Sequence, residues 1–208
     1  MPNATRSLKA EAYERILDRL LKNELRPGEI INRRQVAAEL GMSVGPVLEA
    51  MVQLESEGFF EVMPRKGTRV RLVRPEDVAG NLIVREALEC QAARMYQGER
   101  VAAKAKELMK LARGVEASWD SGLSNWQAEV DFHRALVELA ECRALTRAFD
   151  RVMRVKLFFQ LNMVNDPRVK RDRSDHVAFV KTLKSAKTPD ECERLVREHV
   201  RRGKDITR

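Results

Sequence analysis

Apolar positions recur along this chain with periods that predict its elements one after another. From Ser7 to Asn23, Leu8, Ala12, Ile16, Leu20 and Leu21 fall at helical spacing, and Tyr13 and Leu17 widen the stripe into an amphipathic helix. A Pro-Gly turn within Leu25–Gly28 follows. In Arg34–Leu40, Val36, Ala37 and Leu40 mark a short helix that Gly41 stops, because glycine takes a left-handed conformation cheaply. A second helix starts at once: Ser43 suits an N-cap, Pro46 is tolerable in the first turn, and Val47, Ala50, Met51 and Leu54 form a stripe that ends at Gly58. Helix, three-residue turn, helix is the helix-turn-helix pattern. Phe59–Met63 and Thr68–Leu72 then flank Pro64-Arg65-Lys66-Gly67, which predicts a β-hairpin with two cations at its tip, a wing.

Arg74-Pro75-Glu76-Asp77 changes the pattern, since proline at a first helical position with two acids behind it is a helix start. The domain boundary is placed there, giving residues 1–74 and 75–208. The second part shows helical periodicity alone, over Pro75–Gln97, Glu99–Trp119, Ser124–Ala140, Ala144–Met163, Arg171–Ala186 and Pro189–Arg202. Thr188-Pro189-Asp190-Glu191 reads as a capping box with proline at N1. The expected fold is mainly α: an N-terminal winged helix-turn-helix with a small hairpin, then an all-α antiparallel bundle of six helices.

Charge adds less than the motif does. The 208 residues carry a formal net charge of +8, which favours an anionic partner, yet residues 1–74 hold 13 Lys and Arg against 10 Asp and Glu. No stretch of about 18 apolar residues occurs and no apolar run follows a basic start, so a cytoplasmic chain with no membrane span is expected. Cys90, Cys142 and Cys192 are far apart and form no C-x-x-C pair, which suits reduced packing residues.

All three histidines, His133, His176 and His199, lie in the second part on three different helices. Glu129 is four residues before His133, on the same helical face, so a carboxylate and an imidazole can approach one ion together. Three imidazoles with a carboxylate suit Zn²⁺, Ni²⁺, Mn²⁺ or Fe²⁺. Asp131 is two residues from His133 and points to another side of the helix. Trp119 and Trp126 are read as packing residues.

The run from Leu25 to Ala37, then Leu40-Gly41-Met42-Ser43, Pro46 to Ala50, Leu54, Glu57-Gly58 and the Arg65-Lys66-Gly67 wing, resembles the winged-helix domain of GntR-type bacterial transcription regulators. Ile83 to Glu89 resembles the first helix of the helical effector domain of the FadR subgroup. In that subgroup's metal-binding members an acid and a histidine at i, i+4 precede two more histidines near the C-terminus; Glu129-Val130-Asp131-Phe132-His133, Asp175-His176 and Glu198-His199 match, with Glu where Asp is usual. The resemblance implies a divalent metal on Glu129, His133, His176 and His199, identity among Zn, Ni and Mn open. It also implies a small carboxylate effector, with Arg85 facing its pocket as a bidentate donor and Arg134 and Asn162 as further lining residues. Arg85 also suits a simple helical ion pair with Glu89.

The implied activity is a ligand-responsive transcription regulator, a repressor, that binds a palindromic double-stranded DNA operator as a homodimer. Arg33, Arg34, Ser43, Val44, Gly45, Leu48, Arg65, Lys66, Gly67 and Arg69 occupy the implied DNA-contacting positions. The family typically has arginine at the two positions held here by Val44 and Leu48. Neither can donate to guanine O6 or N7, so base readout is reduced or rewritten; contact with thymine methyls is one such rewriting. The rival readings are an interaction protein that kept the fold without specific DNA binding and a small metal-dependent enzyme. The enzyme reading lacks a nucleophile elbow, a phosphate loop or an HExxH motif, and no enzymatic activity is expected.

Overall fold

A computed structural model describes residues 7–119, 123–162 and 175–202. Those residues divide into two compact units, one of 7–75 with 157–162, the other of 76–119, 123–156 and 175–202. The grouping of 157–162 with the first unit is not foreshadowed by the sequence pattern.

In the first unit α1 (Leu8–Leu21) opens on Ser7, whose hydroxyl accepts from the Ala10 amide, and buries Ala12, Tyr13, Ile16, Leu17 and Leu20. Helix α2 (Arg33–Leu40) is capped by Asn32, which accepts from the Arg34 and Gln35 amides, and ends at Gly41 with φ 66°. Helix α3 (Val44–Ser56) buries Val47, Ala50, Met51 and Leu54, the stripe expected from spacing. Burial of these side chains at about 1.5–3 kcal/mol each is what holds α3 on α1 and α2. Ser43 occupies the N-cap position of α3, but its side chain makes no capping hydrogen bond.

The sheet departs from the expected hairpin by one strand. Strands β2 (Phe60–Met63) and β3 (Gly67–Val70) pair antiparallel as the wing, and β1 (Ile30–Ile31) joins the other side of β3, giving the order β1-β3-β2. Gly28 at φ 86° turns the chain so that its amide donates to the Val70 carbonyl, while the Val70 amide donates to Glu29. A two-residue strand shows no alternation, which is why Ile30–Ile31 carried no strand signal. Residues 157–162, the end of α7 (Arg143–Asn162), bring Phe158 edge-on to Phe59 with centroids 5.4 Å apart.

The second unit consists of α4 (Pro75–Ala103), α5 (Ala105–Ala117), α6 (Leu123–Glu138), α7 (Arg143–Asn162) up to residue 156, α8 (His176–Leu183) and α9 (Pro189–Arg202). The break expected after Gln97 is a kink inside α4, where Gln97 takes φ 51° and ψ 176°. Ser124 lies inside α6 rather than capping it. The expected start of the fifth bundle helix at Arg171 falls outside the described residues, and α8 begins on Asp175, whose carboxylate accepts from the Ala178 amide. The Glu116 carboxylate of α5 accepts from the Val177 amide, a second cap on the same helix end. Thr188 accepts from the Glu191 amide at the start of α9. Among the described residues no helix is long and apolar enough to cross a membrane.

Gly98, just past the kink, lies against the C-terminal end of α8. A Cβ there would stand 2.2 Å from the Ala186 carbonyl oxygen and 3.0 Å from that of Leu183. Backbone cannot step aside as a flexible side chain can, so Gly98→Ala is expected to lower stability by about 1–3 kcal/mol. Urea unfolding should show the midpoint falling with unchanged slope; a midpoint equal to wild type would mean that this contact is loose.

Candidate functional site

The three histidines meet inside the second unit. His133 comes from α6, His176 from the first residue of α8 and His199 from α9, and all are buried. One nitrogen from each lies within 4.8 Å of the others. The rings are held by aromatic packing: Phe179 stacks on His199 at 3.9 Å, and Phe132 stands edge-on to His133 and His176 at 5.2 and 4.9 Å. Glu129 lies between two of them, one carboxylate oxygen 3.4 Å from His133 Nε2 and the other 3.4 Å from His176 Nε2.

Behind His133 runs a chain of buried charge. Arg85 is fully buried and its Nε donates to Glu89 at 2.5 Å; the other Glu89 oxygen lies 2.6 Å from His133 Nδ1. Burial alone would raise the Glu89 carboxyl, but the Arg85 guanidinium and His133 outweigh it and hold the pKa down to about 2. An ionised carboxylate only accepts, so His133 Nδ1 donates to Glu89 while its Nε2 faces Glu129. Burial likewise works against ionised Glu129, and hydrogen bonds from His133 and His176 overcome it, placing its carboxyl far below the usual range. His199 is driven well below its ordinary value, first by burial and then by the charges of His133 and His176. A divalent cation would take these imidazoles in their neutral form beside an ionised carboxylate, so its binding would be coupled to proton release. Three donors to one ion at about 2.0–2.2 Å stand roughly 3–4 Å from each other, so the side chains of the cluster would draw in by up to about 1–2 Å on binding one.

The other expected pocket residues divide. Arg85 is in place, and its ion pair with Glu89 is present as well; its Nη1 and Nη2 are buried and have no hydrogen-bond partner. Arg134 is exposed and paired with Asp150 and Glu138, because its position on α6 faces away from the buried side where His133 lies; this corrects its reading as a lining residue. Asn162 donates to the Phe158 carbonyl of its own helix and falls within the first unit, whereas the histidines belong to the second. Sequence reasoning missed two residues. Glu89 had been considered only as the partner of Arg85, and Asn81 not at all, although Asn81, Arg85 and Glu89 repeat every four residues on the α4 face. Asn81 Nδ2 donates to the Val152 carbonyl, while its Oδ1 is buried with no partner. A polar residue recurring on an otherwise buried stripe was the available signal.

In the first unit, a groove lined by Ile30 to Arg34 and Val62 to Thr68 runs between the start of α2 and the wing. Arg33 donates to Thr68 Oγ1 at 2.8 Å, and Arg34, Arg65, Lys66 and Gly67 are exposed, with Arg65 and Gly67 shaping the tip at φ 63° and 100°. Among the described residues no carboxylate pairs with Arg33, Arg34, Arg65 or Lys66. Arg69 differs: Glu61, opposite it across the strands, takes its guanidinium at 2.9 Å, so Arg69 is a cross-strand ion pair and not an open cation. Ser43, Val44 and Gly45 are exposed at the start of α3, and Leu48 is half-buried.

The first unit is a winged helix-turn-helix and the second a helical bundle with a buried histidine cluster. Residues 8–70 match the family described as bacterial regulatory proteins, gntR family, and residues 82–202 match the FCD domain. The chain belongs to the GntR family, with the FCD architecture of its FadR subgroup. It is 34% identical over 84 residues to an uncharacterized HTH-type transcriptional regulator in an unstable DNA locus of Streptomyces ambofaciens, covering 40% of this chain and 36% of that one. It is 29% identical over 141 residues to the "Probable D-xylose utilization operon transcriptional repressor" of Paenarthrobacter nicotinovorans, covering 65% and 60%. The chain therefore spans little more than a third of the first relative and under two thirds of the second. A crystal structure of a GntR transcriptional regulator from Rhodococcus sp. RHA1 superposes with TM-score 0.66 at 19% identity over 92% of this chain and 93% of that one, a likeness of fold.

Glu89 gives the site a pH signature. Its folded-state value of about 2 lies below the ordinary 4.5, so its contribution to stability is complete above about pH 4.5 and disappears as pH falls toward 2. In chelator-treated protein the stability gap between wild type and Glu89→Gln should be widest above that window and close within it. A gap of the same size at about pH 6 and about pH 3 would mean that Glu89 is not held ionised by its neighbours.

Proposed function

We propose that the chain is a homodimeric, DNA-binding transcription regulator, a repressor, whose FCD unit responds to a small organic acid held beside a divalent metal. The observation that carries the sensing half is the convergence of three buried imidazole nitrogens within 4.8 Å of one another, with Glu129 between two of them. Glu129, His133, His176 and His199 would hold the ion, Zn, Ni or Mn, and Glu89 would orient His133 from behind, as carboxylates commonly do for metal-bound histidines. The ion supplies a Lewis-acidic site for a ligand carboxylate. Arg85 supports the same ligand with two buried N–H groups that have no other partner, and Asn81 offers an acceptor one turn away that suits a hydroxyl.

The DNA half rests on the family and on the wing. Arg33, Arg34, Arg65 and Lys66 present four cations without acidic partners around one groove, a surface that matches duplex phosphates. Dimerisation on a palindrome follows from the size of the reading element, since one short helix contacts too few base pairs for useful specificity. Repression is carried over from the printed name of the Paenarthrobacter relative.

Metal-free protein should take up about one Zn²⁺, Ni²⁺ or Mn²⁺ per chain. Its melting temperature should rise by about 5–10 °C when the ion is a hundredfold above its dissociation constant. Glu89→Gln should weaken uptake by about 10–100-fold, and the pair His133→Ala with His176→Ala should abolish it. A screen of hydroxy and sugar acids should then give a second shift that requires both the metal and Arg85. An unchanged melting temperature with all three ions would refute the metal centre; an acid that shifts Arg85→Met as strongly as wild type would reduce Arg85 to an ion-pair residue.

For the DNA half, fluorescence anisotropy on duplexes at several salt concentrations should show log K falling with log salt. Arg65→Ala with Lys66→Ala should flatten that slope by up to about two phosphates' worth per subunit. An unaltered slope would take the wing off the phosphate backbone.

A further inference from the structure

Helix α3 contains neither lysine nor arginine, and its two ionisable residues are Glu49 and Glu55. Its solvent side is made of small and apolar groups with one acid among them. Val44 is 42% exposed and Val52 54% exposed, Leu48 is half-buried, Gly45 is exposed with no atom within 4 Å of a Cβ placed there, and Glu49 is exposed. Helical spacing sets these residues opposite the buried stripe of Val47, Ala50, Met51 and Leu54. The cations of this unit flank α3 instead of standing on it, at the start of α2 and at the tip of the wing. In a helix-turn-helix the second helix enters the major groove and its N-terminal residues meet base edges. The charge needed for the phosphates and the groups that meet the bases are thus divided between different elements.

We propose that α3 reads pyrimidine edges: Val44, Leu48 and Val52 bury thymine 5-methyl groups, and Glu49 accepts from the cytosine N4 amine. The inference rests on the DNA-binding reading above and goes beyond it by assigning the readout. Guanine presents O6 and N7 as acceptors in the major groove, and adenine sets its N6 donor beside the N7 acceptor, which a carboxylate placed against both would meet unfavourably. The only side-chain donor at this end of the helix is the Ser43 hydroxyl, which is not engaged in capping. Thymine methyl and cytosine N4–H₂ are the two major-groove features that an apolar and carboxylate surface complements. Glu49 set against guanine would face two acceptors, so it also works as a penalty on the wrong base. DNA is favoured over a protein as the occupant because of the four flanking cations, whose charge complements phosphates on either side of a groove. 5-Methylcytosine carries the methyl and the amine on one base, and should be accepted in place of cytosine without loss.

The test uses the full chain. Sites are selected from random duplexes, and each selected thymine is then replaced by deoxyuridine, which deletes the 5-methyl and nothing else. Binding is expected to weaken by about fourfold for each contacted methyl removed. Val44→Ala with Leu48→Ala should shrink the preference for thymine over uracil to the contribution of the methyl on Val52. Both changes shorten side chains that are exposed or half-buried, and retained melting temperature confirms folding. Glu49→Gln should lose discrimination for cytosine by at least about fivefold while its response to uracil stays as in wild type. Equal affinity for thymine and uracil duplexes in the wild type, with a clear selected sequence, overturns this proposal alone. If no sequence is enriched even at low salt while the metal-dependent thermal shift persists, the DNA-binding reading fails and this one with it, and the exposed side of α3 becomes a protein-docking surface.

Discussion

The buried pairing of Arg85 with Glu89, continued from Glu89 to His133, is the interaction on which the second unit's chemistry depends. An isolated buried carboxylate is costly, and so is an isolated buried guanidinium; each is tolerated because the other is within hydrogen-bond reach. The pairing then fixes the ring. With His133 Nδ1 committed to Glu89, Nε2 faces Glu129 and the other two rings. Arg85 spends only its Nε on Glu89, which leaves Nη1 and Nη2 buried and open for a ligand anion. A single i, i+4 pair on α4 thus orders a metal-type site on one side and leaves an anion-type donor on the other.

The first unit solves a different electrostatic problem. Its cations are spread over α2 and the wing, where Arg69 is neutralised by Glu61 and Arg33 is steadied by Thr68. Beta strand β1 contributes to this arrangement, because its pairing with β3 brings the start of α2 alongside the wing and so gathers Arg33, Arg34, Arg65 and Lys66 around one groove. Helix α3 is left without positive charge. In the proposed DNA complex, binding strength and base selection would therefore be carried by separate residues.

Most of this was legible in the sequence where periodicity or capping chemistry was strong. The stripe of α3, the Gly41 stop of α2, the proline start of α4 and the Thr188 cap of α9 are set by local rules, and the structure follows them. Histidines on three helices suggested a common site because so few were available to make one. What sequence could not supply was direction. Arg134 and His133 are neighbours in the chain, yet they project about 100° apart around α6, one in an exposed ion pair and the other in the site. Glu89 looked like half of a helical ion pair, and it is one; its second hydrogen bond, to a residue 44 positions away, has no local signature. Strand β1 was invisible for a related reason, since two residues paired by contacts nearly 40 positions distant carry no period of their own.

The shortest helix of the second unit shows how the site and the fold support each other. Eight residues make too few internal hydrogen bonds for α8 to persist by itself in water. It is held at both ends. At the N-terminus Asp175 and Glu116 satisfy two amide groups, and the first residue of the helix is His176, locked by the Phe132 ring and by Glu129. At the C-terminus the carbonyls of Leu183 and Ala186 lie against Gly98, where only a residue without a side chain can sit. Gly98 belongs to the same α4 that carries Arg85 and Glu89, so one helix sets the charge that orients His133 and also supports the far end of the element bearing His176. The position of a candidate metal-binding residue is consequently fixed by α4 through two routes, one electrostatic and one steric. That double constraint explains how three residues from helices remote in sequence come to share a site only a few ångströms across.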